Sequence, residues 1–178
     1  GKGSVLWPLR AALSGKKASI GPYELADIFG KDESLKRLKI AKDMFQFMYK
    51  LNGVGLAATQ VGLPYSIAVI NPSRKTSDEI VLINPRFTKT SRETVREDEG
   101  CLSVPGLSAR VKRHSGVTCE YHNLKGEKVV LEARELLARI LQHEIDHLNG
   151  ILFIDRLADD ERKILLTKRP AKTKDEDI

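Results

Sequence analysis

The chain has little of what staples a protein together or carries it across a membrane. It has only two cysteines, Cys101 and Cys119, in unrelated contexts. That excludes the disulfide framework of a small secreted domain, makes a reducing compartment the expectation, and leaves each thiol free for other chemistry. No apolar run approaches the roughly 20 residues that a membrane-spanning helix needs. The opening GKGSVLWPLRAALSGKK contains no proper signal-peptide core, so neither a membrane partner nor export is expected. Repeats are missing, and no linker is long enough to divide domains. A single domain is therefore expected, since 178 residues with 41% hydrophobic content can bury a core without disulfides or a structural metal. A strong charge of one sign is missing too. Thirty Lys and Arg stand against 24 Asp and Glu, a net charge of +6, with the signs interleaved along the chain, which reads as a solvated surface and not as a DNA footprint.

What is present begins at Ser34, read as an N-cap. Leu35, Leu38, Ala41, Phe45 and Met48 then recur at helical spacing with lysines between them. The helix ends near Asn52-Gly53, where NGVGLAATQVGLP sets three glycines among small residues and lets backbone come close to a neighbour. Residues 66–70, 79–85, 116–122 and 127–133 read as strands. In the third, Val117, Cys119 and Tyr121 alternate with Thr118, Glu120 and His122 as in a half-buried strand, which makes Cys119 a core residue. NLKG, at 123–126, reads as a hairpin turn between the last two strands. From Ala133 to Leu148 the spacing is helical again, and Asn149-Gly150 supplies a stop. His114 and His122 read as surface histidines, and the basic run ARVKRH, at 109–114, as a solvated strand edge. The fold class expected is α+β, with short, mostly antiparallel strands packed around a late helix that carries a histidine pair.

That pair, in ILQHEIDHLNG, carries the chemistry. His143 and His147 lie four residues apart, near 6 Å and on nearly the same helical face, so both imidazoles can converge on one ion. Glu144, next to the first histidine, can lie beside a water on that ion, the logic of HExxH hydrolases. A catalytic site of this kind usually takes a third protein ligand. A histidine six residues beyond the second one is ruled out, because Phe153 stands there. Glu161, in the charged tail, would serve a zinc endopeptidase, and Cys101→Ala would then leave metal binding nearly intact. The stronger candidate is Cys101 itself, in EDEGCLSVPG, a segment with no sign of core helix or strand.

Three stretches taken together, GVGLAATQ at 53–60, EGCLS at 99–103 and QHEIDHLNG at 142–150, closely resemble in order and separation the signature motifs of the peptide deformylase family. The similarity runs from about Ser34 to Leu157. It leaves residues 1–33 as a divergent N-terminal extension, 34–157 as the catalytic domain and 158–178 as a charged tail, a solvated helix running into a disordered end. The resemblance implies an enzyme that removes the formyl group from N-formylmethionyl nascent peptides. It makes Cys101, His143 and His147 the metal ligands and Glu144 the general acid and base. Gln60 and the backbone N–H of Leu102 form the oxyanion site, and Gly55 approaches the substrate backbone. One divalent ion is implied, Fe(II) by expectation, with zinc, nickel or cobalt as substitutes. The implied setting is bacterial cytoplasm or an organellar matrix or stroma, with the ribosome near its exit tunnel as a further partner.

Arg139 departs from the pattern. It lies four residues before His143 on the stripe that faces the metal, where the resemblance implies an aliphatic residue lining the formyl-methionine pocket. An unpaired buried charge is costly, so the arginine is expected to snorkel to the rim, narrow the pocket or make its outer part polar. Substrate binding, and with it the preference for methionine, is the property it is expected to alter.

Overall fold

The computed structural model describes residues 31–124 and 127–168, with side chains from residue 39 onward. Helix α1 (Lys31–Lys50) opens the described chain. Strands β1 (Gly55–Ala57), β2 (Ile67–Ile70) and β3 (Ile80–Thr90) follow. Next come β4 (Thr94–Cys101), β5 (Val104–His114), β6 (Gly116–His122) and β7 (Lys128–Arg134). Helix α2 (Glu135–Leu148) and the short helix α3 (Asp159–Thr167) complete the order. Five strands form one antiparallel sheet in the order β1-β2-β3-β6-β7, and β4 and β5 form a separate two-stranded ribbon. The α+β architecture, mostly antiparallel with a late helix, is the one expected.

The strand periodicity explains why helices cover both faces of the sheet at β1 to β3. Leu56, Ile67, Val69, Val81 and Ile83 turn to one face, where Met44, Phe45 and Met48 of α1 meet them. Their alternates Ala57, Ala68, Ile70 and Leu82 turn to the other, against Ala138, Leu141 and Ile145 of α2. With both faces buried these strands read as near-continuous apolar runs instead of an alternation. The alanines on the α2 side leave room for the helix to sit close. A third cluster joins Val104, Leu107 and Val111 of β5 to Phe153, Ile154 and Leu165. The tail is thus pinned at Leu165, although Ile164 and Leu166 beside it are exposed.

Several expectations need correction. Ser34 lies within the helix Lys31–Lys50 and does not cap it. Cys101 does not sit outside regular structure, for it ends β4. TVREDEG has no apolar alternation because the one residue it buries fully is the charged Glu99, while the buried apolar residues of the ribbon come from β5. Arg113, in the run read as solvated, is buried, since Glu99 and Asp146 neutralise it. His122 is buried, not a surface histidine, because β6 is a central strand, while His114 is half-buried with its Nδ1 2.7 Å from the carbonyl oxygen of Ser91. Cys119 is fully buried, as expected. In the β6–β7 connection the Asn123 N–H donates to the Glu127 carbonyl oxygen; Lys125-Gly126 of that turn lies outside the described residues, as do residues 1–30 and 169–178, on which most of the N-terminal extension and the end of the tail fall.

One polar group on the sheet gives the fold a measurable acid limit. Glu120 accepts from Lys128 on β7 at 2.7 Å and from Arg86 on β3 at 2.6 Å. These cations, Lys128 first, hold its carboxyl down at about 2 instead of the ordinary 4.5. A carboxyl depressed on folding contributes stability above its unfolded value and loses it as pH falls through its folded one. The contribution is therefore expected to be complete above about pH 4.5 and to fade toward pH 2. Thermal midpoints of the native chain and of Glu120→Gln, measured from pH 7 to pH 2, check this. The two curves should converge in acid, and a gap that stays constant through that window would refute the assignment.

Candidate active site

The site forms where the end of β4, the turn after β1 and the face of α2 meet. Helix α2 puts His143 and His147 one turn apart, with ring centroids 4.7 Å apart and their Nε2 atoms separated by 3.1 Å. Cys101 Sγ lies 3.1 Å from His147 Nε2. These donor atoms all lie within 4.8 Å of one another. A thiolate with two imidazoles is the soft, nitrogen-rich set that suits a transition-metal ion and leaves a coordination position open. The residues fit such an ion on a second count. Glu144 is buried, and its Oε2 has no partner among the described residues. A buried carboxylate oxygen left unpaired is costly unless a ligand or water completes it.

Behind the ligands lies an ionic network. His143 Nδ1 sits 3.0 Å from Glu99 Oε2, the carboxylate partner that orients a ligating imidazole. Arg113 forks onto the same Glu99, with Nε donating to Oε1 at 2.8 Å and Nη2 to Oε2 at 2.9 Å. Its Nη1 donates to Asp146, which Arg156 also holds. Burial opposes the charge on Glu99, yet Arg113 and His143 keep its carboxyl down at about 2. Without an ion, burial pushes the Cys101 thiol up, but hydrogen bonds from the two histidines and the Ser103 N–H bring it down to about 6. Burial disfavours charge on His143, while Cys101 and Glu99 outweigh it and raise the ring to about 10. Burial raises Glu144 to about 8. A bound cation would favour the neutral imidazole and the anionic thiolate and carboxylate.

The turn after β1 supplies the opposite wall. Gln60 is held by the Ala57 N–H, which donates to its Oε1 at 2.8 Å. Its Nε2 therefore points inward, donating to Ser103 Oγ at 3.0 Å and lying 3.8 Å from Cys101 Sγ. Thr59 Oγ1 ties this turn to the His147 carbonyl oxygen at 2.8 Å. Gly55 packs directly on Glu144, and a Cβ there would overlap its carboxylate. A cavity of about 730 Å³ opens in front, lined among others by Gly55, Gln60, Leu102, Leu136, Ile140 and Arg139.

All eight residues singled out in the sequence come to this site. Cys101, His143 and His147 converge, Glu144 lies beside them, and Gly55, Gln60, Leu102 and Arg139 line the cavity. Arg139 resolves its burial by pairing and does not reach for the rim. Its guanidinium donates to Glu97 Oε2 at 3.0 Å and to Glu99 Oε1 at 2.7 Å, and to the carbonyl oxygens of Val111 and Val95 at 3.0 and 3.2 Å. Glu161, the alternative third ligand, is engaged by Arg96 at 2.7 Å and lies outside the cluster of donors. Sequence reasoning missed Glu99, Ser103, Arg113 and Asp146. The first two stand inside the EGCLS stretch, and Asp146 within QHEIDHLNG, but nothing local singles them out.

Known proteins resemble this chain in sequence and fold. A family model described as polypeptide deformylase matches residues 26–163, and a second, described as anticodon binding domain, matches residues 1–42. Peptide deformylase from Pseudoalteromonas translucida is 50% identical over 129 residues, covering 72% of this chain and 77% of that protein. The chloroplastic/mitochondrial peptide deformylase 1B of Arabidopsis thaliana is 47% identical over 135 residues, and the match spans 75% of this chain and 48% of that longer protein. The crystal structure of peptide deformylase from Plasmodium falciparum superposes with a TM-score of 0.70 at 38% identity, covering 74% of this chain and 79% of that one. On the family match, these identities and the shared fold, the chain belongs to the polypeptide deformylase family, metal-dependent hydrolases that remove the N-formyl group from nascent peptides.

Proposed function

We propose that Cys101, His143 and His147 hold a single divalent ion, Fe(II), and that the site acts on formyl-methionyl chains as they leave the ribosome, in bacterial cytoplasm or an organelle. The observation that carries this reading is the convergence of the three donors within 4.8 Å beside the unpartnered Glu144 Oε2. When bound, the ion supplies Lewis acidity and lowers the pKa of a water toward neutrality. Glu144 takes the proton of the attacking water and delivers it to the leaving amine. The Gln60 amide and the Leu102 N–H donate to the formyl oxygen as charge develops there. Gly55 lets the substrate backbone approach Glu144. The C–N bond of the formamide breaks, and formate and a free amino terminus leave. Glu99 orients His143 throughout.

The reading is tested by formate release from a formyl-methionyl peptide, using protein prepared without oxygen and loaded in parallel with Fe(II) and Zn(II). The Fe(II) form should be the faster. It should also decay in air through loss of the ferrous state and oxidation of Cys101. A zinc form that matched it and was equally air-stable would overturn the choice of metal.

Arg139 is proposed to shape the outer wall of the methionine pocket with its methylene stem, while Glu97 and Glu99 absorb its charge. Arg139→Ile should shift the ratio of kcat/KM between formyl-methionyl and formyl-leucyl peptides by about threefold or more, the scale of small apolar differences in a pocket. An unchanged ranking would count against it.

A further inference from the structure

We infer that the loop between β2 and β3, Asn71–Glu79, sets the position of the substrate-facing wall from outside the cavity, with Arg74 as the positioning residue. This rests on the reading of the cavity as the formyl-peptide site. The wall is the segment from Leu51 to Gly55, which lines the cavity, whereas no residue of the β2–β3 loop does. The loop grips that segment from behind. The Asn71 N–H donates to the Val54 carbonyl oxygen at 2.9 Å, and Arg74 Nη2 donates to the Asn52 carbonyl oxygen at 2.6 Å. Asn71 is fully buried, with Nδ2 donating to Tyr49 Oη at 2.6 Å and to the Lys75 carbonyl oxygen at 2.9 Å. Tyr49 Oη in turn donates to Glu79 Oε1 at 2.9 Å. The loop is therefore fastened to the end of α1 and to the wall together.

Backbone conformation marks the Arg74 contact as more than incidental. Asn52 and Arg74 both adopt left-handed φ, 58° and 60°. Asparagine tolerates that region, but for an arginine it is unusual and persists where the surroundings fix it. Here the Arg74 N–H is placed 3.4 Å from the Asn71 carbonyl oxygen, and the guanidinium closes on Asn52. Fixing the Asn52 carbonyl fixes the peptide plane that leads into Gly53. From there a short glycine-rich path reaches Gly55, which lies against Glu144. Val54 packs on the core beneath α2 and Gly55 is paired with Ile70, whereas Leu51 and Asn52 are exposed, so the Asn52 end of the wall has the least packing of its own. A shift of order 1 Å in a positioning segment costs binding and orientation even when the reacting groups are untouched. Arg74 is exposed, so its removal empties no core space.

The experiment compares the metal-loaded native chain with Arg74→Ala and Arg74→Lys on a formyl-methionyl tripeptide. Arg74→Ala should raise KM about fivefold with kcat within about twofold and an unchanged thermal midpoint, and Arg74→Lys should recover part of the loss. An unaltered KM overturns the inference. So does a fall in kcat and thermal midpoint that tracks the KM change, since that is general destabilisation. A native chain that releases no formate removes the functional reading instead. The positioning role is then judged by amide hydrogen exchange at Gly53 and Gly55, which should be about tenfold faster in Arg74→Ala if the wall is held from the loop, and unchanged if it is not.

Discussion

Glu144→Ala is expected to lower kcat for formate release by about a thousandfold, within the range for loss of a positioned acid-base group, while bound metal per chain stays the same. Glu144 is outside the set of converging donors, so metal content reports on the ligands and kcat on the proton transfer. The geometry adds a second, opposite effect. Glu144 is only 3% exposed, its Oε2 has no partner among the described residues, and burial drives its carboxyl up to about 8. A group held in so unfavourable a place is a cost to the fold. Glu144→Gln, which keeps the volume, should therefore lose activity on the same scale yet unfold at a temperature no lower than the native chain. Activity retained to within tenfold in either variant would remove Glu144 from the mechanism.

Gly55→Ala is expected to act through the same carboxylate. The added methyl would overlap the Glu144 side chain, meeting its carboxylate and the carbon before it. Gly55 has no positive φ, so the backbone accepts alanine and the conflict falls on the side chain alone. Glu144 must leave its present position, and a misplacement of order 1 Å costs on the order of a hundredfold in kcat. The thermal midpoint should move little, because the displaced atoms are the end of a flexible side chain and not backbone. A variant with native kcat would mean that Glu144 has room to move without consequence. A variant that fails to fold would mean that the sheet edge, not the carboxylate, is what the glycine protects.

How legible the molecule was in its sequence depended on whether the partners of a residue were local. Helix α2 and strand β6 stood out because their apolar residues recur at 3.6 and at 2 along the chain itself. The histidine pair was legible for the same reason, since one helical turn sets its geometry. The ribbon β4–β5 was not, because Thr94–Gly100 packs by charge and carries no apolar period. Arg113 was misread as solvated because its partners Glu99 and Asp146 lie 14 and 33 residues away, and only the folded chain brings them together. His122 was misread because an alternating strand does not say whether its second face is also covered. Cys101 was legible as the stronger candidate for a third ligand, but its assignment needed the resemblance to a family motif, for nothing in the seven residues before it points toward α2.

The ribbon carries a consequence for how the protein assembles. Among the described residues β4 and β5 share no ladder with the five-stranded sheet, so no backbone hydrogen bond of that kind makes their docking cooperative with it. They are held by the ion pairs of Arg113 with Asp146 and of Glu97 and Glu99 with Arg139, and by the apolar cluster around Val111 and Phe153. On this topology the sheet with α1 and α2 is expected to open as one cooperative unit and the ribbon as a second, which native-state hydrogen exchange of their amides would separate. Cys101 is on the second unit and the histidines on the first. An ion bridging them would act as a latch between folding units, with a stabilising effect concentrated on whichever opens first.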